Sequence, residues 1–138
     1  MRIYGSVFVV LFLILASCTH MAVRDEVISL ENRVGAFWEA KVQGEWGKAY
    51  DFLCDDYRAQ TPRKDFGRSA NLRILSFKIE AIELQDGDKK AIVTVSFDTT
   101  SMGFELKGIK IKDEWINEDD LWCICPRSGK FKEMFEKK

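Results

Sequence analysis

The chain reads as an α+β protein in which N-terminal helices pack into a curved antiparallel β-sheet. Two observations predict this. Up to about residue 68 apolar residues recur at three- and four-residue steps, and from Ile74 onward they alternate at period two among β-formers. The strand-like stretches are separated by short reversal signals at Asp86-Gly87-Asp88, Met102-Gly103 and Asn117 to Asp120. Helices followed by a run of strands, with no alternation between the two, is the α+β order.

The first stretch is a leader. One cation in Met1 to Ser6 precedes an apolar run, Val7 to Ala16. That run is short of the roughly 20 residues a spanning helix needs, but it suits a signal-peptide core. Leu15-Ala16-Ser17-Cys18 then resembles the lipobox of bacterial lipoproteins. The resemblance implies cleavage before Cys18, acylation of its thiol and new amine, and attachment to a membrane. Two or three acyl chains hold far better than one, because each buried methylene adds about 0.8 kcal/mol. Thr19, not aspartate, follows the cysteine, and by resemblance to the enteric sorting rule this implies the outer membrane, facing the periplasm. The alternative is an uncleaved short anchor. The expected organisation is a signal peptide at 1–17, a tether at 18–23, one domain at 24–126 and a charged tail at 127–138, in which Phe131, Met134 and Phe135 keep helical spacing.

The first helix of the domain is carried by Val27, Leu30, Val34, Phe37 and Trp38, with Gly44 as its stop. A second runs from about Glu45 to Cys54 on the stripe Trp46, Ala49, Tyr50, Leu53 and Cys54. Thr61-Pro62 reads as the cap and first residue of a third, Pro62 to Arg68. Ile74 to Leu84 is the first strand. In the second, Ala91, Val93, Val95 and Phe97 alternate with Ile92, Thr94, Ser96 and Asp98. The third, Phe104 to Ile116, changes phase at Gly108, from Phe104 and Leu106 to Ile109, Ile111 and Trp115. A one-residue slip at a glycine predicts a β-bulge. Leu121 to Cys125 is the last strand, ended by Pro126.

Phe37-Trp38 with Gly44-Glu45-Trp46-Gly47-Lys48-Ala49-Tyr50-Asp51-Phe52-Leu53, and the ending from Trp115 through Trp122 to Ile124, resemble the packing motifs of the nuclear transport factor 2-like superfamily. That superfamily includes ketosteroid isomerase and the SnoaL-like cyclases. The resemblance covers about Val23 to Cys125 and implies a cone-shaped domain, which family members often pair into dimers through the outer sheet face. Packing motifs specify a fold and no activity.

Composition excludes more than it assigns. Net charge is −1, and removing 1–17 takes away only Arg2. There is no basic surplus or clustered basic face for nucleic acid. The one histidine, His20, lies in the tether, so the folded part has no imidazole base, triad or His-metal site. No cofactor or metal motif is present. Acid-base candidates are Asp98 and Glu105 with Tyr50 as an oxyanion donor; Tyr50, Tyr57, Trp115 and Trp122 are candidates for lining a ligand cavity. Each has a structural reading beside it: Tyr50 on an apolar helical stripe suits the core, and strand-end acids are usually solvated. Asp55-Asp56 lack convergent partners for a metal. Lys107, Lys110 and Lys112 suit an exposed strand that resists edge pairing. Cys54, Cys123 and Cys125 lack zinc, thioredoxin and haem spacing. Cys54 bridged to Cys123 or to Cys125, or three buried thiols, stay open, and a cysteine nucleophile has no histidine to activate it. The expectation is a lipid-anchored domain that binds a small apolar or amphipathic ligand, or an envelope protein, without catalysis. An isomerase- or cyclase-like enzyme and a structural dimerisation domain are the alternatives.

Overall fold

The computed structural model describes residues 4–67 and 72–126, with side chains from residue 22 onward. Three helices, α1 (Tyr4–Val42), α2 (Trp46–Tyr50) and α3 (Asp55–Gln60), precede four strands, β1 (Arg73–Gln85), β2 (Lys90–Ser101), β3 (Phe104–Glu118) and β4 (Leu121–Ile124). The strands form one antiparallel sheet in the order β1-β2-β3-β4. It is a curved sheet with the helices packed against it, an α+β fold consistent with a nuclear transport factor 2-like cone.

The alternation of β2 sets the layers. Ala91, Val93, Val95, Phe97 and Thr99 are buried, while the residues between them are only half-buried on the other face. Trp38 of α1 lies against this inner face, 5.2 Å from the Phe97 ring and 6.0 Å from that of Phe77. Phe37 meets Trp115 edge-on at 5.8 Å, an arrangement worth about 1 kcal/mol beyond burial. Leu30, Val34, Tyr50, Leu53, Trp122 and Ile124 complete the core.

Bulges provide the curvature. Between Phe97↔Ile109 and Thr99↔Leu106, Asp98 stands opposite two residues, Lys107 and Gly108. Gly108 has φ +64°, a conformation glycine adopts without a Cβ penalty. The phase slip in the sequence is therefore a bulge at that position. β1 carries two further register shifts, beside Leu75 and Glu80, which keep Phe77, Ile79, Ile82 and Leu84 against the core. The β2–β3 and β3–β4 reversals are two-residue turns with positive φ at Met102-Gly103 and Asp119-Asp120, the backbone that follows strand twist.

The helical region departs from expectation in three places. α1 is unbroken through 18–23, because no proline or glycine interrupts that stretch. It ends as predicted at Gly44: Glu45 N–H donates to Ala40 O at 2.8 Å and Gly44 N–H to Lys41 O at 3.1 Å, a Schellman cap. α2 stops at Tyr50 and does not reach Cys54, since Leu53 leaves the helix to pair with Ile124 of β4. The third helix starts at Asp55, not Pro62. Asp55 and Asp56 sit in its first turn, where the helix dipole favours them. Thr61 follows its C-terminus, and residues 63–67 are turns. Arg68, the tail at 127–138 and the side chains of Cys18 and His20 lie outside the described residues.

Candidate functional site

β3 places one carboxylate on the inner face. By register, Ile109, Ile111, Asp113 and Trp115 face the same side as Phe97, Val95, Val93 and Ala91. Asp113 there accepts a hydrogen bond from Trp38 Nε1 at 3.1 Å. Lys41 follows Trp38 by three residues and so shares its helix face. Its Nζ lies 3.6 Å from the Trp38 ring centroid and 5.2 Å from that of Phe37. Burial pushes the Lys41 ammonium down to about 8, against the pull of Asp113. The same burial pushes the Asp113 carboxyl up, against Lys41 and the Trp38 hydrogen bond. The result is an ammonium and a carboxylate of opposite charge set among aromatic rings, with Lys41 still partly open to solvent.

Lys41 also lines an open cleft of about 380 Å³ at the rim of the cone, with Val42, Gln43, Gly44, Trp46, Leu72 and Arg73. Trp46 is backed by Phe66 at 6.0 Å. Gly67 closes over it: a Cβ there would come 2.6 Å from Trp46 Cδ2, so no other residue fits without displacing the indole.

Tyr50 and Asp98 are not brought together. The Tyr50 hydroxyl lies 2.8 Å from Thr61 O and 3.2 Å from Arg58 O, and its ring lies under Arg63 and beside Phe66. It ties α2 to the loop after α3. Asp98 points to the outer face, where Oδ1 accepts from the Gly108 backbone N–H at 2.8 Å and Oδ2 from Ser76 Oγ at 3.3 Å. It braces the bulge. Glu105 is exposed beside Lys107, 3.4 Å away. Tyr57 is half-buried against the core, and Asp55 pairs with Arg58. Lys110 and Lys112 are exposed on the outer face, which around Ser96 also carries Lys78 and Glu80.

Trp115 and Trp122 are fully buried. Trp122 Nε1 donates to Glu26 Oε2 at 3.1 Å, an oxygen that Asn117 Nδ2 also reaches at 3.3 Å; this pins α1 to the β3–β4 hairpin. The buried indole nitrogen of Trp115 has no hydrogen-bond partner.

Cys54 and Cys125 are joined by a disulfide across 71 residues, and Cys123 is a buried free thiol. Its sulfur lies within 4.8 Å of the other two. Burial, aided by Glu118 and Asp55 and opposed by Arg33, pushes that thiol up to about 12.

Asp113 and Lys41 were missing from the sequence candidates. The signal was present for Asp113: after the Gly108 slip it falls midway between Ile111 and Trp115 in the inward phase. Lys41 needed the knowledge that α1 holds a lysine against the sheet. Among the described residues no helix is long and apolar enough to cross a membrane. Compared with known proteins, the chain matches no family model and no curated protein.

Proposed function

We propose that this chain is a bacterial lipoprotein, cleaved before Cys18 and held to the outer membrane by lipid on that residue. Its folded part is a nuclear transport factor 2-like domain facing the periplasm, and it binds a small amphipathic ligand without transforming it. Supporting the address are the Leu15-Ala16-Ser17-Cys18 box and a disulfide, which persists in oxidising compartments. Supporting binding over catalysis, Phe37, Trp38, Phe97, Trp115 and Trp122 fill the cone with the chain's own side chains. Tyr50 and Asp98 are both committed to backbone partners.

The observation that carries the reading is the rim cleft. Val42, Trp46 and Leu72 stand in it beside two cations, Lys41 and Arg73, and polar atoms make up most of its exposed lining. Convergent polar groups of this kind fix the orientation of a small molecule. The fitting ligand has a short hydrocarbon body and an acidic head. Titration of the purified full chain with dodecanoate, followed by tryptophan fluorescence, is expected to saturate, and Arg73→Gln to weaken it about tenfold, the worth of one lost charge contact of about 1.4 kcal/mol. Absence of saturable binding, together with no small molecule retained in native mass spectrometry, refutes the binding reading. The address is tested separately: labelled palmitate should enter the protein and be lost in Cys18→Ala. An unlabelled product sinks it.

A further inference from the structure

A different chemistry lies apart from the rim cleft, where β4 meets the segment ahead of α3. Backbone pairing fixes it: Ile124 N–H donates to Phe52 O at 2.8 Å, and Cys54 N–H donates to Ile124 O at 2.9 Å. Cys123 and Cys125 flank Ile124, so they share a face of the strand. Both therefore present sulfur to Cys54, and all three sulfur atoms lie within 4.8 Å of one another. Two are bonded and the third is a thiol.

We propose that Cys54, Cys123 and Cys125 form a thiol–disulfide exchange centre in which Cys123 attacks Cys54 and releases Cys125 as the free thiol. The Cys123–Cys54 bond forms as the Cys54–Cys125 bond breaks. The departing electron pair goes to the Cys125 sulfur, which takes up the proton that Cys123 lost. One disulfide and one thiol stand on each side, so the step needs no oxidant or reductant. Attack falls on Cys54 and not on Cys125, because residues two apart on an extended strand are about 6.6 Å apart at Cα, at the edge of what a disulfide spans.

The exchange has a direction in space. Cys123 is 8% exposed, whereas Cys125 is half-buried beside Pro126, at the end of β4. Exchange carries the thiol from the core to where a small disulfide from solution can reach it. The Cys125 thiolate then attacks that molecule, RSSR, giving a mixed disulfide on Cys125 and free RSH. The step is restrained by the environment of Cys123. Burial holds its proton, Glu118 of β3 and Asp55 of α3 add to that, and Arg33 of α1 opposes them. Only the thiolate attacks, and for a thiol near 12 its fraction rises about tenfold per pH unit.

The test maps thiols in the full chain purified without reductant. Samples held at pH 7 and at pH 9 are quenched in acid, denatured, alkylated and resolved peptide by peptide. The label should start on Cys123 and migrate to Cys125, about a hundredfold faster at the higher pH, with a Cys54–Cys123 peptide appearing in step. Label that stays on Cys123 at both pH values overturns the proposal. In Cys125→Ser, Cys54 should bridge to Cys123 and leave neither free; two free thiols there overturn it as well. Cys123→Ser should keep the Cys54–Cys125 bridge and show no migration, and migration in that variant would refute the assignment of the attacking sulfur.

Discussion

Lys41 makes stability depend on pH in a direction that can be worked out beforehand. Its folded value is about 8 against an ordinary 10.5, with burial as the main cause. Between those two values the unfolded chain carries a proton that the folded chain has released, so stability rises with pH across the window. At about 1.4 kcal/mol per pH unit, the whole window is worth about 3 kcal/mol. Lys41→Met keeps the length of the side chain and removes the titration. It also removes the cation lying over Trp38, a contact worth about 1 kcal/mol. Urea unfolding of both proteins from pH 7 to pH 10.5 gives the difference, in which the titrations of groups away from Lys41 and Asp113 cancel. The stability of the parent minus that of the variant should climb by about 3 kcal/mol, most steeply above pH 8. A difference that is flat across the range, or that falls, would refute the claim that this ammonium is desolvated in the folded state.

Three other outcomes are expected. Asp98→Ala removes the acceptor for the Gly108 N–H and should cost about 1 kcal/mol in urea unfolding while leaving dodecanoate affinity unchanged; a change in affinity would place Asp98 in the binding site. Trp122→Phe loses the bond to Glu26 and should lower stability by about 1–2 kcal/mol with a negligible effect at the rim cleft. Reducing the Cys54–Cys125 bridge, which closes a loop of 71 residues, should cost about 4 kcal/mol on the chain-entropy account, read as a fall in the thermal midpoint on adding reductant.

The sheet was the legible part of the chain, and the reason is periodicity. Ala91, Val93, Val95 and Phe97 could face only one way, and the slip at Gly108 marked the bulge because a single inserted residue flips every side chain beyond it. The helical segment was less legible because its boundaries depend on contacts far along the chain. Leu53 and Cys54 continue an apolar stripe begun by Ala49 and Tyr50, yet Leu53 is taken by Ile124, and a tertiary pairing ends the helix early. The same distance obscured the site. Tyr50 and Asp98 both looked available in one dimension; that Asp98 faces outward follows only from the register, and that Tyr50 is in the core only from the packing of α2. Asp113 looked like an ordinary strand acid until its neighbours, Trp38 and Lys41, came from another element.

The continuity of α1 bears on where the cleft would stand under the proposed anchor. From Cys18 to Glu26, where the sheet first takes hold, the helix climbs eight residue steps, a stiff shaft of about 12 Å; the same axis reaches Lys41 about 35 Å from Cys18. A body carried on such a shaft cannot swivel freely as it would on a floppy leash. Were Cys18 moored in lipid as proposed, the β3–β4 hairpin, tied to Glu26, would stand nearer the membrane than the opening by Lys41 and Arg73. Molecules diffusing through the aqueous space would find that opening first, and those still embedded in the anchoring leaflet would not.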